Sequence, residues 1–246
     1  MIVYRDMDAK LYAQDILVES PTQTAPLGSE WDFNDGRSFV YCKNGTVALA
    51  AGSLLQAAVP QINHLNRPVV GAHPVGATTI TISVVGTAIA ASEYNEGFLH
   101  INAGAGRGYV YKVLQHPAAA VGTTCAIEIY DAVAVALDPA TSRCSLTKHL
   151  CGDVITYPAV AATSIPVGVT PRVISANFFF WAQVKGVCTV LASGVLVIGN
   201  DVVPDTAVAG AVMPAPATDI VGAIGRVFRV NAGTEHALIN LAIPGF

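Results

Sequence analysis

The sequence predicts an all-β fold: a β-barrel or β-sandwich body with an extended N-terminal arm. Three observations predict it. Short apolar runs alternate with period two, as in Thr79-Ile80-Thr81-Ile82-Ser83-Val84. Turn residues (Gly, Pro, Asn, Asp) separate these runs at short intervals. Past residue 35 no stretch of ten or more residues keeps helical periodicity, which argues against Rossmann, TIM-barrel and α/β-hydrolase architectures.

Residues 1–35 read as the arm. The first 19 hold Arg5, Asp6, Asp8, Lys10, Asp15 and Glu19, six of the 30 charged residues in the chain. Within Asp6–Val18 a short helix is conceivable, with Met7, Leu11 and Val18 on one face and Asp15 interrupting it. The uncharged stretch Ser20–Gly28, with Pro21 and Pro26, reads as a linker. Residues 36–246 are the β body. In its first strand Phe39 and Tyr41 share a face, opposite Val40 and Cys42. Phe98–Ile101 and Tyr109–Leu114 flank the Gly-rich loop 102–108 as a hairpin. Further strands are expected over Cys125–Tyr130, Arg143–Lys148, Asn177–Val184, Val187–Leu191, Val195–Ile198, Val227–Val230 and His236–Ile243. Pro158, Pro166 and Pro171 make Val154–Pro171 an extended connection or an edge. If the body has two subdomains, they are expected to divide there, near 154–171.

Composition narrows the function. Of 246 residues 52% are hydrophobic and 12% charged, where about 25% charged is usual. Disorder is therefore excluded. The net charge is −4, and the nearest approach to a basic cluster is Arg226 with Arg229, so no nucleic-acid partner is expected. The longest uncharged run, Pro68–Ser92, is long enough to span a bilayer but carries two prolines, three glycines and strand alternation, so no membrane partner is expected either. The start lacks a basic segment followed by an apolar one, so no signal peptide is expected. Five cysteines without framework spacing read as reduced, buried thiols. One explanation for the shortage of charge is a surface partly covered by other protein.

No catalytic, metal or cofactor set stands out. Gly104-Ala105-Gly106-Arg107-Gly108 superficially resembles a phosphate loop, but Gly108 opens a strand rather than a helix. Cys144, His149 and Cys151 lack the fourth ligand and the second pair that a closed zinc site needs. Carboxylates pair only in turn-like or arm contexts: Asp6/Asp8, Asp32/Asp35 and Glu93/Glu96. The six histidines are scattered, and no Gly-x-Ser-x-Gly occurs. The chain therefore reads as no enzyme, with no cofactor.

Phe178-Phe179-Phe180-Trp181 places apolar rings on both faces of one strand. Such a strand is buried on both sides in the core, or it turns Phe179 and Trp181 toward another subunit. Trp31 and Phe33 sit in an acidic stretch, where an aromatic either staples onto its own domain or anchors a partner. With Tyr12, these form the candidate interface set: Tyr12, Trp31, Phe33, Phe179 and Trp181.

The stretch Asp35-Gly36-Arg37-Ser38-Phe39-Val40-Tyr41-Cys42-Lys43-Asn44-Gly45, followed by Ala48–Gln56, resembles the start of capsid decoration (cement) proteins of tailed double-stranded DNA bacteriophages. Glu96–Asn102 running through Arg107–Tyr111 to His116-Pro117 is similar to that family too, as are Val202–Pro204, Ala207–Gly210 and Ile220–Gly222. The resemblance spans residues 27–243 as an overall pattern. It implies a virion structural protein, made in the host cytoplasm and seated on the outer surface of the capsid. Its partners would be the major capsid protein and itself, as a homo-oligomer, expected to be a trimer. The alternative is a phage tail or fibre component that binds a host glycan.

Overall fold

The structure is a computed structural model that describes residues 14–216, 222–231 and 235–246. It is all-β: sixteen strands and one 3-10 turn, Ile62–His64, among these residues. The chain forms two compact units. One joins the described residues up to Val59 with Leu150–Phe246, and the other is the inserted segment Pro60–His149. The chain therefore passes between the units at residues 60 and 150.

The first unit starts with β1 (Glu30–Asp32), β2 (Ser38–Lys43) and β3 (Leu54–Gln56). The inserted unit follows with β4 (Arg67–Pro68), β5 (Thr79–Ser83), β6 (Phe98–Ala103), β7 (Val110–Gln115), β8 (Thr124–Ile129) and β9 (Arg143–Thr147). The chain then completes the first unit with β10 (Ile155–Thr156), β11 (Pro166–Val169), β12 (Phe179–Leu191), β13 (Asp201–Pro204), β14 (Val212–Pro214), β15 (Gly225–Arg229) and β16 (His236–Ala242).

The inserted unit is a nearly closed barrel of order β4-β9-β6-β7-β8-β5. Its two ends meet where Val69 bridges Ile82 and Val70 N–H donates to Thr81 C=O at 2.8 Å. Period-two alternation builds it. On β5, Ile80 and Ile82 are buried, while Thr79, Thr81 and Ser83 are half-buried. Leu99, Ile101, Tyr111, Val113, Ile127 and Leu146 complete the interior.

The first unit is a ten-stranded half-barrel of order β10-β3-β11-β12-β16-β15-β13-β14, with β2 on β12 and β1 on β2. The 13-residue β12 is its axis, pairing with β2 over its first half and with β16 over its second. The two expected strands 177–184 and 187–191 are thus one strand. A register shift between Gln183 and Lys185 marks the change of partner. Gly186 sits there at φ 81°, and a Cβ would lie 2.6 Å from Gly36 O, so only glycine fits. The proline-marked stretch contributes β10 and β11 to this sheet, because Pro166 occupies the first strand position, beside a register shift. Val195–Ile198 forms no strand, and Val195 is 85% exposed.

The β2–β12 pair is buried on both faces. On one, Val40, Cys42, Phe180, Ala182 and Val184 pack with Leu55, Val167 and Ile174. On the other, Phe39, Tyr41 and Trp181 pack with Ala25 and Trp31. Those last two belong to residues 14–35, which lie on the body as a strap rather than extending from it. Turn and bridge conformations hold residues 14–29, and residues 14–18 contain no helix. The strap is pinned by hydrogen bonds. Trp181 Nε1 donates to Gln14 C=O at 3.1 Å, and Gln14 Nε2 donates to Phe179 C=O at 2.9 Å. Ser20 and Phe179 exchange two backbone bonds of 2.9 and 2.8 Å. The Glu19 carboxylate accepts from Ser175 N–H at 2.6 Å and from its hydroxyl at 2.9 Å.

Trp181→Ala should cost about 3–5 kcal/mol in chemical denaturation. Phe228→Ala, at a ring 59% exposed, should change stability by well under that amount. A chain lacking residues 1–30 uncovers Tyr41 and Trp181 and should bind a hydrophobic dye that the full chain excludes.

Asp205 gives a pH test. It is almost fully buried, which works against its charge, but Ser193 Oγ–H, Ala207 N–H (2.7 Å) and the N–H groups of Val208 and Thr206 donate to it. Together these hold its pKa below the ordinary value. A lowered folded pKa means stability that is present above the unfolded pKa of about 3.9 and lost as pH falls through the folded one. Asp205→Asn should therefore cost about 1–3 kcal/mol at neutral pH. Its gap from the parent chain should close as pH drops below about 4, measured by urea unfolding across pH.

Candidate interaction surface

The outer wall of the inserted barrel carries a row of apolar side chains. Strand alternation sends Leu99 and Ile101 of β6 inward and Phe98 and His100 outward. On β7 the outward residues are Val110, 60% exposed, Lys112, and Leu114, 40% exposed. Register sets Phe98 opposite Lys112 and His100 opposite Val110. Tyr130 N–H donates to Lys112 C=O at 3.0 Å, and the Lys112 ammonium lies 5.5 Å from the centre of the Tyr130 ring. Phe98 of β6, Lys112 of β7 and Tyr130, the residue after β8, thus form a row, flanked by Val110 and Leu114. The lysine stem adds apolar area to the row while its charge stays at the rim.

Charge on this unit is balanced. Residues 60–149 hold Arg67, Arg107, Lys112, Arg143 and Lys148 against Glu93, Glu96, Glu128, Asp131 and Asp138. A neutral unit with an apolar wall has little electrostatic repulsion to overcome when another protein approaches.

The residues expected at an interface are placed differently. Tyr12 lies outside the described residues. Trp31 (5% exposed) and Trp181 (0%) are 5.3 Å apart, edge to face, within the first unit. Trp31 is thus the staple of the two roles considered for it. Phe33 and Phe179 are half-buried on the same cluster, and Phe179 stacks on Tyr41 at 6.0 Å. The residues of the barrel wall were not singled out in the sequence. The signal was available in Val110-Tyr111-Lys112-Val113-Leu114, where the face opposite Tyr111 and Val113 is apolar at both ends.

The structure also gathers two of the scattered histidines. His64 Nδ1 accepts from the Tyr94 hydroxyl at 2.5 Å, while His64 Nε2–H donates to Thr87 C=O at 3.1 Å. His116 Nε2 accepts from Tyr94 N–H at 2.9 Å and its Nδ1–H donates to Pro117 C=O at 2.9 Å. Burial, then the Glu93 carboxylate, pushes the Tyr94 phenol upward, so it remains a hydrogen donor. All three side chains are at most 5% exposed, and both rings have each nitrogen engaged. This is an internal brace between the 3-10 turn, the loop before β6 and the loop after β7.

All five cysteines are free and buried. Burial pushes the Cys144 and Cys188 thiols up to about 12, and burial followed by the adjacent Cys151 thiol pushes Cys42 far up as well. Cys144 and His149 belong to the inserted unit and Cys151 to the first. Among the described residues no group of three His, Cys, Asp or Glu side chains is placed to hold a metal, and no helix is long and apolar enough to cross a membrane. No protein-family model, no curated protein and no solved structure matches the chain.

A thiol reagent at pH 8 should modify none of the five cysteines rapidly in the native protein and all five in denaturant. Rapid native labelling of even one would contradict their burial.

Proposed function

We propose that this chain is a head decoration protein, a structural component that binds the outer surface of a bacteriophage capsid and stabilises the shell. The apolar wall of an electroneutral barrel carries the reading. In a chain with half the usual share of charged residues, Phe98, Val110 and Leu114 lie on the outer face of β6 and β7, with Tyr130 just past β8 beside Lys112. The resemblance of Asp35–Gln56 to the decoration family points the same way. So does an architecture whose most prominent buried polar cluster, His64–Tyr94–His116, is internally satisfied.

The mechanism is one of area and repetition. A standard interface buries about 1,600 Å², and a symmetric shell repeats it many times. A homotrimer, the expected assembly, engages three capsid sites at once and so dissociates far more slowly than one copy. The major capsid protein is the partner and the virion surface the location.

Electron cryomicroscopy of virions that contain the chain tests this. Density for it outside the head shell, in copies set by icosahedral symmetry, is the expected result; density on a tail or fibre favours the glycan-binding alternative and overturns the proposal. In reconstitution with heads lacking the protein, Val110→Asp with Leu114→Asp should weaken binding at least tenfold, about 1.4 kcal/mol. The thermal midpoint should stay unchanged, because both side chains already face solvent.

A further inference from the structure

A cleft of about 460 Å³ opens on the strap side of the first unit, lined among others by Ile16, Leu17, Arg37, Gln183, Thr189 and His236. Its volume falls within the range of small-molecule sites. The strap residues Ile16 and Leu17 and the β2 residue Phe39 supply apolar lining. The polar lining is less ordinary.

Gln183 is 94% buried, being 6% exposed. Its Nε2 donates to Lys185 C=O and Val187 C=O, both at 3.0 Å, across the register shift of β12. That double bond to the backbone fixes the amide plane. It leaves Gln183 Oε1, an acceptor, with no partner among the described residues. Arg37 is the complement. Its Nε donates to Asp35 at 2.8 Å, and the guanidinium lies 5.3 and 5.7 Å from the rings of Phe33 and Phe39, but neither Nη has a hydrogen-bond partner among the described residues. His236 donates through Nε2 to Ala51 C=O at 3.1 Å, which leaves Nδ1 open.

Acceptor and donor line the same cleft. Gln183 pairs with Phe39, and Arg37 is the residue just before β2, next to the Ser38–Lys185 pair on the far side of the register shift. Among the described residues no Asp or Glu lines the cleft, and the one formal charge in that lining is the Arg37 guanidinium, held from its Nε side by Asp35 at 2.8 Å.

We infer that this cleft binds a small organic acid that carries a hydroxyl or amide N–H beside its carboxylate. The carboxylate accepts from the two Nη groups of Arg37, as planar guanidinium geometry favours. The neighbouring hydroxyl or N–H donates to Gln183 Oε1, and the ligand's carbon body rests on Ile16 and Leu17. A sugar acid of a glycan and the carboxyl end of a peptide both present this chemistry. The inference stands independently of the decoration reading, since it rests on the first unit alone.

Nitrogen-15-labelled full-length protein titrated with D-glucuronate and, separately, with N-acetyl-L-alanine tests it. D-glucose and N-acetyl-L-alanine methylamide serve as neutral controls. Saturable shifts of the Gln183 side-chain amide and Arg37 Nε with either acid, and none with its control, are expected. Glucuronate alone identifies a sugar acid, N-acetylalanine alone a peptide terminus, and both identify the shared chemistry. Arg37→Gln should weaken binding at least tenfold; its exposed ion pair with Asp35 contributes little to folding. If that variant does not give a native spectrum, Arg37→Lys, which keeps the charge but loses the fork, should weaken binding severalfold. No saturable shift with either acid at roughly tens of millimolar, equal shifts with the neutral controls, or unchanged affinity in a folded Arg37 variant would overturn the inference.

Discussion

The first unit depends on closing both faces of one strand. β12 presents Phe180, Ala182 and Val184 to one side and Trp181 to the other, and neither set tolerates water. The half-barrel covers the first. Among the described residues, 14–35 cover the second, and they do so with aromatic contacts and paired polar groups together. Trp181 meets Tyr41 at 5.0 Å and Trp31 at 5.3 Å, both edge to face, while its indole N–H is satisfied by Gln14 C=O. The Tyr41 hydroxyl in turn donates to Gln14 Oε1 at 3.1 Å and accepts from Thr24 N–H at 3.0 Å. A buried tyrosine and tryptophan thus keep their polar ends paired, without which their burial would be costly.

The inserted unit solves the same problem differently. Its strands alternate, so one face fills the barrel and the other meets solvent, and closure leaves little exposed sheet edge. Val110 and Leu114 take no part in the interior of that unit, whereas Phe98 also stacks on His149 at 6.0 Å. Exposed apolar side chains in a row across adjacent strands are the kind of surface that partners cover. A strap that covers its own sheet and a barrel wall that covers nothing are opposite uses of the same residue types.

Much of this was legible in the sequence where period two is strict. Thr79–Val84 and the hairpin around residues 102–108 form as expected, because one face is buried and the register is thereby fixed. Phe178–Trp181 put apolar rings on both faces of one strand but left open whether its own unit or another subunit covers them. What covers it was not legible, since Ser20–Gly28 has linker composition and is held by backbone bonds that leave no pattern. Val195–Ile198 has strand composition but no partner to pair with, and propensity alone does not make a ladder. The unit boundaries were hidden because prolines mark strand starts and loops as readily as linkers. The His64–Tyr94–His116 brace joins residues up to 52 positions apart through side chain and backbone, a closeness that only the fold supplies.

The claim that residues 14–35 are part of the first unit's fold is tested most directly by native-state hydrogen exchange. Phe179 N–H, which donates to Ser20 C=O, and the Trp181 indole N–H, which donates to Gln14 C=O, report the strap alone. Both should exchange only as slowly as the β12–β16 ladder opens, with free energies equal to global unfolding. Exchange of these two protons orders of magnitude faster than Cys188 or Val190 N–H would show a strap that detaches while the sheet stays folded, and would contradict the account.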